Sequence, residues 1–335
     1  MKSVKFRTLL TLLILLGLLF IACLLALVTG SADIPPADIL GILTGGQDSV
    51  QQSIILGIRL PRLLLGLAVG GSLSLAGTLL QGMFRNPLVE PYTLGISGGA
   101  SLGVCLNIIF KWYRVMGVIA YPLSGFMGAL LVILLVYMLS ANAGTLKTNS
   151  MLLTGVMISF VSSSLVMLLM ALSQSEDIHS IVFWIMGSLD VPNTSLIAIA
   201  VMGALLGLLL SYFFCLDLNA LALGEEEAFY LGVNVNRTKK WLFVIASLLT
   251  GLSVSVAGII GFVGLIVPHF MRMITGADHR ILLLSAFLAG ASFLVLCDVI
   301  ARTVIAPMEL PVGVITGIIG GIIFIYALGK KQITL

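Results

Sequence analysis

Arg59 to Arg85 reads RLPRLLLGLAVGGSLSLAGTLLQGMFR, and from Leu63 to Phe84 it holds no charged residue. An α-helix rises about 1.5 Å per residue, so such a run is about 33 Å long and matches a hydrocarbon core of about 30 Å. Barrel strands are segments of about ten residues that alternate apolar and polar, and this run does not alternate. Gly66, Gly70 and Ser74 recur at every fourth position, a spacing of small residues that lets helix backbones approach closely. The stretch is a membrane span near 63–83, packed against other helices. Arg59 and Arg62 stand at its entrance and Arg85 at its exit.

The rest of the chain repeats this grammar. Its 335 residues are 59% hydrophobic and 9% charged, with 17 Lys+Arg and 14 Asp+Glu. A soluble domain carries about 25% charge, so a soluble fold is excluded. Disorder, which needs low hydrophobicity and high charge, is excluded too. Apolar runs near 8–28, 63–83, 93–110, 117–140, 150–172, 193–214, 241–258, 262–275, 281–299 and 312–328 predict ten spans in one all-α polytopic membrane domain covering 1–335. Lys2, Lys5 and Arg7 precede the first run. A secretory signal core is usually 7–15 residues, and the run from Thr8 to Val28 is longer, so 8–28 is read as an uncleaved first span. With both termini cytoplasmic, twelve of the 17 Lys and Arg residues face the cytoplasm, as the positive-inside rule requires. The outer ones are Arg59, Arg62, Lys111, Arg114 and Arg302.

Three connections carry further signals. Ile34 to Leu60, with Pro35-Pro36 and Gly45-Gly46, is expected to be structured outside the membrane. Asp177 to Gly187 (DIHSIVFWIMG) reads as an amphipathic outer helix. The cytoplasmic loop 216–236 contains LGEEEAFYLG, where Glu225, Glu226 and Glu227 open a short helix, Gly224 to Leu231, as the helix dipole favours. Ala228, Phe229 and Leu231 give it an apolar patch, suited either to the bilayer surface or to a partner's groove.

Chemistry of its own is not visible. The chain has no GxxxxGK[ST] phosphate loop, no HExxH and no GxSxG. His179, His269 and His279 are isolated and read as surface or interfacial residues. Cys23, Cys105, Cys215 and Cys297 form neither a disulfide framework nor a metal site. The spans lack the mid-depth ionisable groups of an ion-coupled carrier, which remains the rival class. No feature suggests nucleic acid.

Some residues admit two readings. Pro61 fits a first helical turn, which would put Arg62 at a helix N-terminus, where the dipole disfavours a cation. Arg59, Arg62 and Arg302 therefore either snorkel to headgroups or meet an acidic partner. Gly155, Ser159, Ser162, Val166 and Met170 form a small, soft stripe on the fifth span, for packing or for a pathway that must not hold its cargo. Gly313, Gly317 and Gly321 mark the tenth span for helix packing or a subunit interface.

The pattern AG…Q…RNPL…P…LG…GA, on Ala76, Gly77, Gln81, Arg85 to Leu88, Pro91, Leu94, Gly95, Gly99 and Ala100, resembles the FecCD/BtuC-type permeases. These are the membrane subunits of ABC importers for iron–siderophore complexes, haem and cobalamin. LALGEEEAFYLGV (Leu221 to Val233), GFVGLIVPHFMR (Gly261 to Arg272), LAGAS (Leu288 to Ser292) and ELPVGVITG (Glu309 to Gly317) extend the resemblance in family order.

The resemblance implies a type II ABC importer permease in a bacterial cell membrane. It implies a homodimer, two cytoplasmic ATPase subunits that carry ATP and Mg, and an extracytoplasmic substrate-binding protein. This chain would bind no cofactor and catalyse nothing. Leu223, Gly224, Glu225, Glu226, Glu227, Ala228, Phe229, Leu231 and Gly232 match the coupling helix. Arg59, Arg62 and Arg302 match arginines that dock the binding protein. Thr148 and Asn149 match the inner gate. Gly155, Ser159, Ser162, Val166 and Met170, the tenth span and the outer helix 177–187 are similar to pathway elements. Iron–siderophore is the expected cargo, with haem and cobalamin as alternatives.

Overall fold

A span rich in leucine is content in lipid, whereas one rich in Gly, Ala, Ser and Thr fits where helices meet. That contrast sorts the helices of the computed structural model, which describes residues 2–30, 34–35, 41–42, 50–142, 145–191 and 193–329. Pro36, Gly45-Gly46, Lys330 and Lys331 lie outside the described residues. The leucine-rich first helix, α1 (Lys2–Val28), is peripheral, with 17% of its apolar window buried; the window around α2 (Leu60–Phe84) is 89% buried. Helix α2 is the central post of the bundle.

The remaining helices follow in order: α3 (Ile96–Ile109), α4 (Ala120–Ser140), α5 (Thr148–Ala171), α6 (Ser175–Ile185), α7 (Thr194–Phe213), α8 (Cys215–Leu223), α9 (Glu225–Tyr230), α10 (Val235–Ala257), α11 (Val263–Thr275), α12 (His279–Thr303) and α13 (Val312–Gly329). Among the described residues seven helical stretches are long and apolar enough to cross a membrane, and α3, α11 and α13 are shorter apolar helices. They coincide with the ten expected spans. Helix α6 is the expected outer helix, displaced by two residues. The loop 216–236 holds α9 as expected, and also α8, which the sequence reading missed. Among the described residues the only strand pairing is the two-residue hairpin Ala141–Asn142 with Thr145–Leu146.

The small-residue stripe of α2 is its seam with α12. Gly70 and Gly290 face each other with no room for a methyl group on either. Ser74 Oγ donates to Ala286 O across 2.7 Å. Farther along, Gly77 abuts the Gly264 carbonyl of α11. Several buried hydroxyls are satisfied within their own helices, as with Thr78 to Ser74 O (2.9 Å), Thr250 to Ala246 O (2.7 Å) and Ser253 to Leu249 O (2.7 Å), whereas Ser140 and Ser247 have no partner among the described residues. Such bonds keep polar atoms paired where no water is available.

Two prolines are accommodated differently. Pro61 does not begin a helix: Val50–Phe84 is one continuous helical stretch, in which Ile55–Arg59 widens into π register before the ring. A wide turn relieves the clash that a proline ring makes with the preceding turn. Arg62 is therefore not at a helix N-terminus, and the dipole argument made for it does not apply. Pro268, inside α11, leaves the Gly264 carbonyl without its i+4 donor. Gln81 supplies one, its Nε2 lying 3.3 Å from Gly264 O and 3.1 Å from Leu265 O.

Candidate functional site

At the outer end, the last carbonyls of α1 have no intrahelical partners. Arg59 Nη1 donates to Leu27 O (2.6 Å) and Val28 O (2.8 Å). Arg302 reaches Ala26 O (3.2 Å) and Thr29 O (3.3 Å). Asp298 sits between two guanidinium groups, 2.8 Å from Arg62 Nε and 3.0 Å from Arg302 Nε. Arg62 also holds Glu309 at 2.5 Å, and Glu309 is half exposed. In the protomer these arginines are turned inward. Arg59, Arg62 and Arg302 are 4%, 6% and 8% exposed, and their donors go to helix-end carbonyls and carboxylates within the chain.

The fifth span had two readings, packing or pathway, and its stripe makes packing contacts within the protomer. On α5, Gly155 lies against the backbone of Thr93 and Leu94, and Ser162 against Gly98. Val166 packs with Val104, Cys105 and Ile108 of α3. Ser159 bonds its own helix at Gly155 O, 3.0 Å away. The stripe ending at Met170 is thus the face that packs inside the protomer. About a quarter-turn away lie Asn149, Val156, Phe160, Ser163 and Met167, all exposed. A second exposed face, Leu153, Met157, Val161 and Leu165, borders an apolar groove against α4. On α13, Gly313 is wedged against the carbonyls of Met186 and Ile259, whereas Gly317 faces open space. Val314, Ile318, Ile322 and Ile325 are exposed along that helix.

At the cytoplasmic end, Gly224 adopts φ 148° and leads into α9, in a conformation that favours glycine. A side chain there would also collide with the Glu227 carboxylate. Ala228 is fully buried, whereas Leu223, Phe229, Tyr230 and Leu231 are largely exposed and form an apolar patch. Lys239 of α10 ties α9 to the start of α5. Its Nζ lies 2.5 Å from Glu225 Oε1 and 3.1 Å from Thr148 Oγ1, and the residue is 3% exposed. A polar cleft of about 620 Å³ opens here, lined by Arg85, Lys147, Thr148, Asn149, Glu225 and Lys239. The sequence reading used Lys239 only as an orientation charge. Its spacing from Asn234, which caps α10 through its side chain, puts it one turn into that helix, where an inward aim is decided by packing.

The reading also missed the clasp on the chain entering α11. Glu90 Oε1 accepts from Phe262 N–H (2.7 Å) and Tyr92 Oη from Ile260 N–H (3.1 Å). Burial pushes the Glu90 carboxyl above its ordinary range, against the opposing effect of the Phe262 hydrogen bond. His269 and His279 are buried rather than superficial. Among the described residues no cluster of His, Cys, Asp and Glu is suited to hold a metal ion.

Residues 18–330 match the FecCD transport family. The chain is 40% identical over 281 residues to the hemin transport system permease protein HmuU of Yersinia pestis, covering 83% of this chain and 84% of that one. It is 41% identical over 279 residues to the Fe(3+) dicitrate transport system permease protein FecD of Escherichia coli, covering 83% and 86%. A solved chain described as an inward-facing conformation of a metal-chelate type ABC transporter superposes with a TM-score of 0.83 at 34% identity, covering 94% of this chain and 97% of that one. With this match over nearly its whole length and ten apolar helices in the expected order, the chain belongs to the FecCD transport family and is a membrane permease subunit of an ABC importer.

Proposed function

We propose that two copies of this chain form a permease that passes a metal chelate, iron–siderophore first among the candidates, into the cell by alternating access. Separate ATPase subunits drive it from the cytoplasm. The observation that carries the reading is the α9 patch of Leu223, Phe229, Tyr230 and Leu231, apolar and uncovered on a short helix. From there Lys239 runs to Thr148, so a push on Glu225 is felt at the first turn of α5. The exposed face of α5 at Val156, Phe160, Ser163 and Met167 and that of α13 suit the walls of a pathway between two copies. Both are weakly polar and offer a chelate no tight site.

On the outside, a binding protein's carboxylate would reach Arg62 by replacing Glu309, the exposed member of its two ion pairs. Val304, Ile305 and Met308 beside it offer exposed apolar contact. Haem is the second cargo reading, favoured by the 40% identity to a hemin permease. The match to a ferric dicitrate permease is equally strong, so identity alone does not choose.

The test has two parts. Glu226→Lys with Phe229→Ala should abolish co-purification of the ATPase; unchanged co-purification would remove the coupling reading. The ligand retained by the cognate binding protein, followed by its ATP-dependent uptake into proteoliposomes, identifies the cargo. Retention of haem alone would replace the siderophore reading.

A further inference from the structure

Next to the cleft at the start of α5, with which it shares Arg85, a cytoplasmic cavity of about 390 Å³ lies where the ends of α2 and α11 meet the start of α12. Arg85, Arg272, His269 and His279 line it, together with Gln81 and Asn86. Among the described residues no carboxylate lines it. Asp278, next to His279 in the chain, faces Asn219 Nδ2 at 2.8 Å and Arg280 at 3.5 Å.

Both imidazoles are unfinished. His279 is 2% exposed and His269 7%, and neither Nε2 has a hydrogen-bond partner. A buried polar atom without a partner is costly. Asn219 fixes the tautomer of His279. Its Nδ2 donates to Asp278, so its Oδ1 accepts from the backbone N and from Nδ1 of His279, each at 2.8 Å. Nε2 of His279 therefore carries a lone pair; it is shut in beside Gly82, where a Cβ would approach to 2.9 Å, and a ligand reaches it only by shifting the imidazole. Arg272 uses one donor on Gln81 Oε1, at 3.3 Å, and a guanidinium has five. Arg85 sits at φ 50°, left-handed, at the end of α2. Helices usually place glycine at such a position, so a side chain has been kept there at some conformational cost.

We propose that this cavity binds a phosphoryl oxyanion that carries a hydroxyl donor. Arg85 and Arg272 take the charged oxygens and His279 Nε2 accepts from the hydroxyl. The chemistry is shared by hydrogen phosphate, by singly protonated phosphomonoesters and by the phosphatidylglycerol headgroup of the inner leaflet, whose glycerol supplies the hydroxyl.

The test uses the full chain in nanodiscs and native mass spectrometry. In phosphatidylcholine discs, inorganic phosphate is titrated; in discs containing phosphatidylglycerol, no phosphate is added. A saturable phosphate adduct assigns the ligand to the cytoplasm. Retained phosphatidylglycerol that phosphate does not displace assigns it to the bilayer. Either should weaken about tenfold or more in Arg85→Gln, which loses charge-assisted hydrogen bonds at an exposed position and keeps the fold. His279→Gln should weaken it independently. Phosphate and phosphatidylglycerol binding that is no stronger in the parent than in Arg85→Gln, or retention of phosphatidylcholine equal to that of phosphatidylglycerol, overturns the proposal.

Discussion

Gln81 donates to the carbonyl of Gly264 across two helices, and that carbonyl is the one Pro268 leaves without a helical partner. The side chain of one helix thus completes the hydrogen bonding of another. Gln81→Leu should cost about 1–3 kcal/mol by stranding a buried acceptor. In a Pro268→Ala background, which restores the N–H, the same change should cost clearly less. Thermal unfolding of the four variants in detergent measures the coupling, and equal costs in both backgrounds would contradict the repair.

The outer ion cluster predicts a sharp asymmetry. Asp298 is buried between Arg62 and Arg302, so Asp298→Leu leaves two buried cations facing an apolar side chain. Breaking a buried pair in this way costs about 3–5 kcal/mol. Glu309 is half exposed, and Glu309→Gln should cost about 1 kcal/mol or less. Folded yield and melting temperature check both. A Glu309 effect as large as that of Asp298 would contradict the assignment.

Lys239→Met should separate hydrolysis from transport. The α9 patch proposed to meet the ATPase is untouched, but the link from Glu225 to Thr148 is gone. Reconstituted with its partners, the variant should keep ATPase activity within about twofold while uptake falls about tenfold, a loss equivalent to roughly 1.4 kcal/mol of coupling. Equal loss of both activities would point to failed assembly instead.

Glu90 gives a pH dependence. Its carboxyl is raised by burial in the folded state, so the fold favours the protonated form. The stability this confers is present at low pH and is lost as the pH rises through the raised value. The parent should therefore lose melting temperature between pH 5 and pH 8 by more than Glu90→Gln, whose amide stays neutral and still accepts from Phe262. Parallel pH profiles for parent and variant would exclude the effect.

Span order and number were legible because long uncharged runs admit one structure in lipid. The phase of a helix was less so. Small residues on α5 admitted packing or a lining, and the resemblance implied a lining, but small residues go where backbones touch, and Gly155 meets Leu94. The exposed face lies about a quarter-turn away, through Val156, Ser163 and Met167. Only Asn149, among the residues assigned to gate and pathway, falls on it. The arginines at 59, 62 and 302 were legible as span-end residues, whereas the carbonyls and carboxylates they meet within the chain were not. A span end exposes orphan carbonyls, and a guanidinium close in space but 32 or 276 residues away in the chain is not visible to local reading. The α9 helix was legible because its three glutamates and flanking glycines are local signals.

The pair of guanidinium groups closing the end of α1 also orders the birth of the protein in time. Helix α1 has its terminal carbonyls half completed when Arg59 arrives. They are finished only by Arg302, which is 273 residues beyond Thr29. Every nascent chain shorter than that carries an open latch at its outer rim. Release from the insertion machinery and escape from membrane proteases should therefore both wait on the ninth span, and chains truncated just before it should be degraded far faster than chains truncated just after.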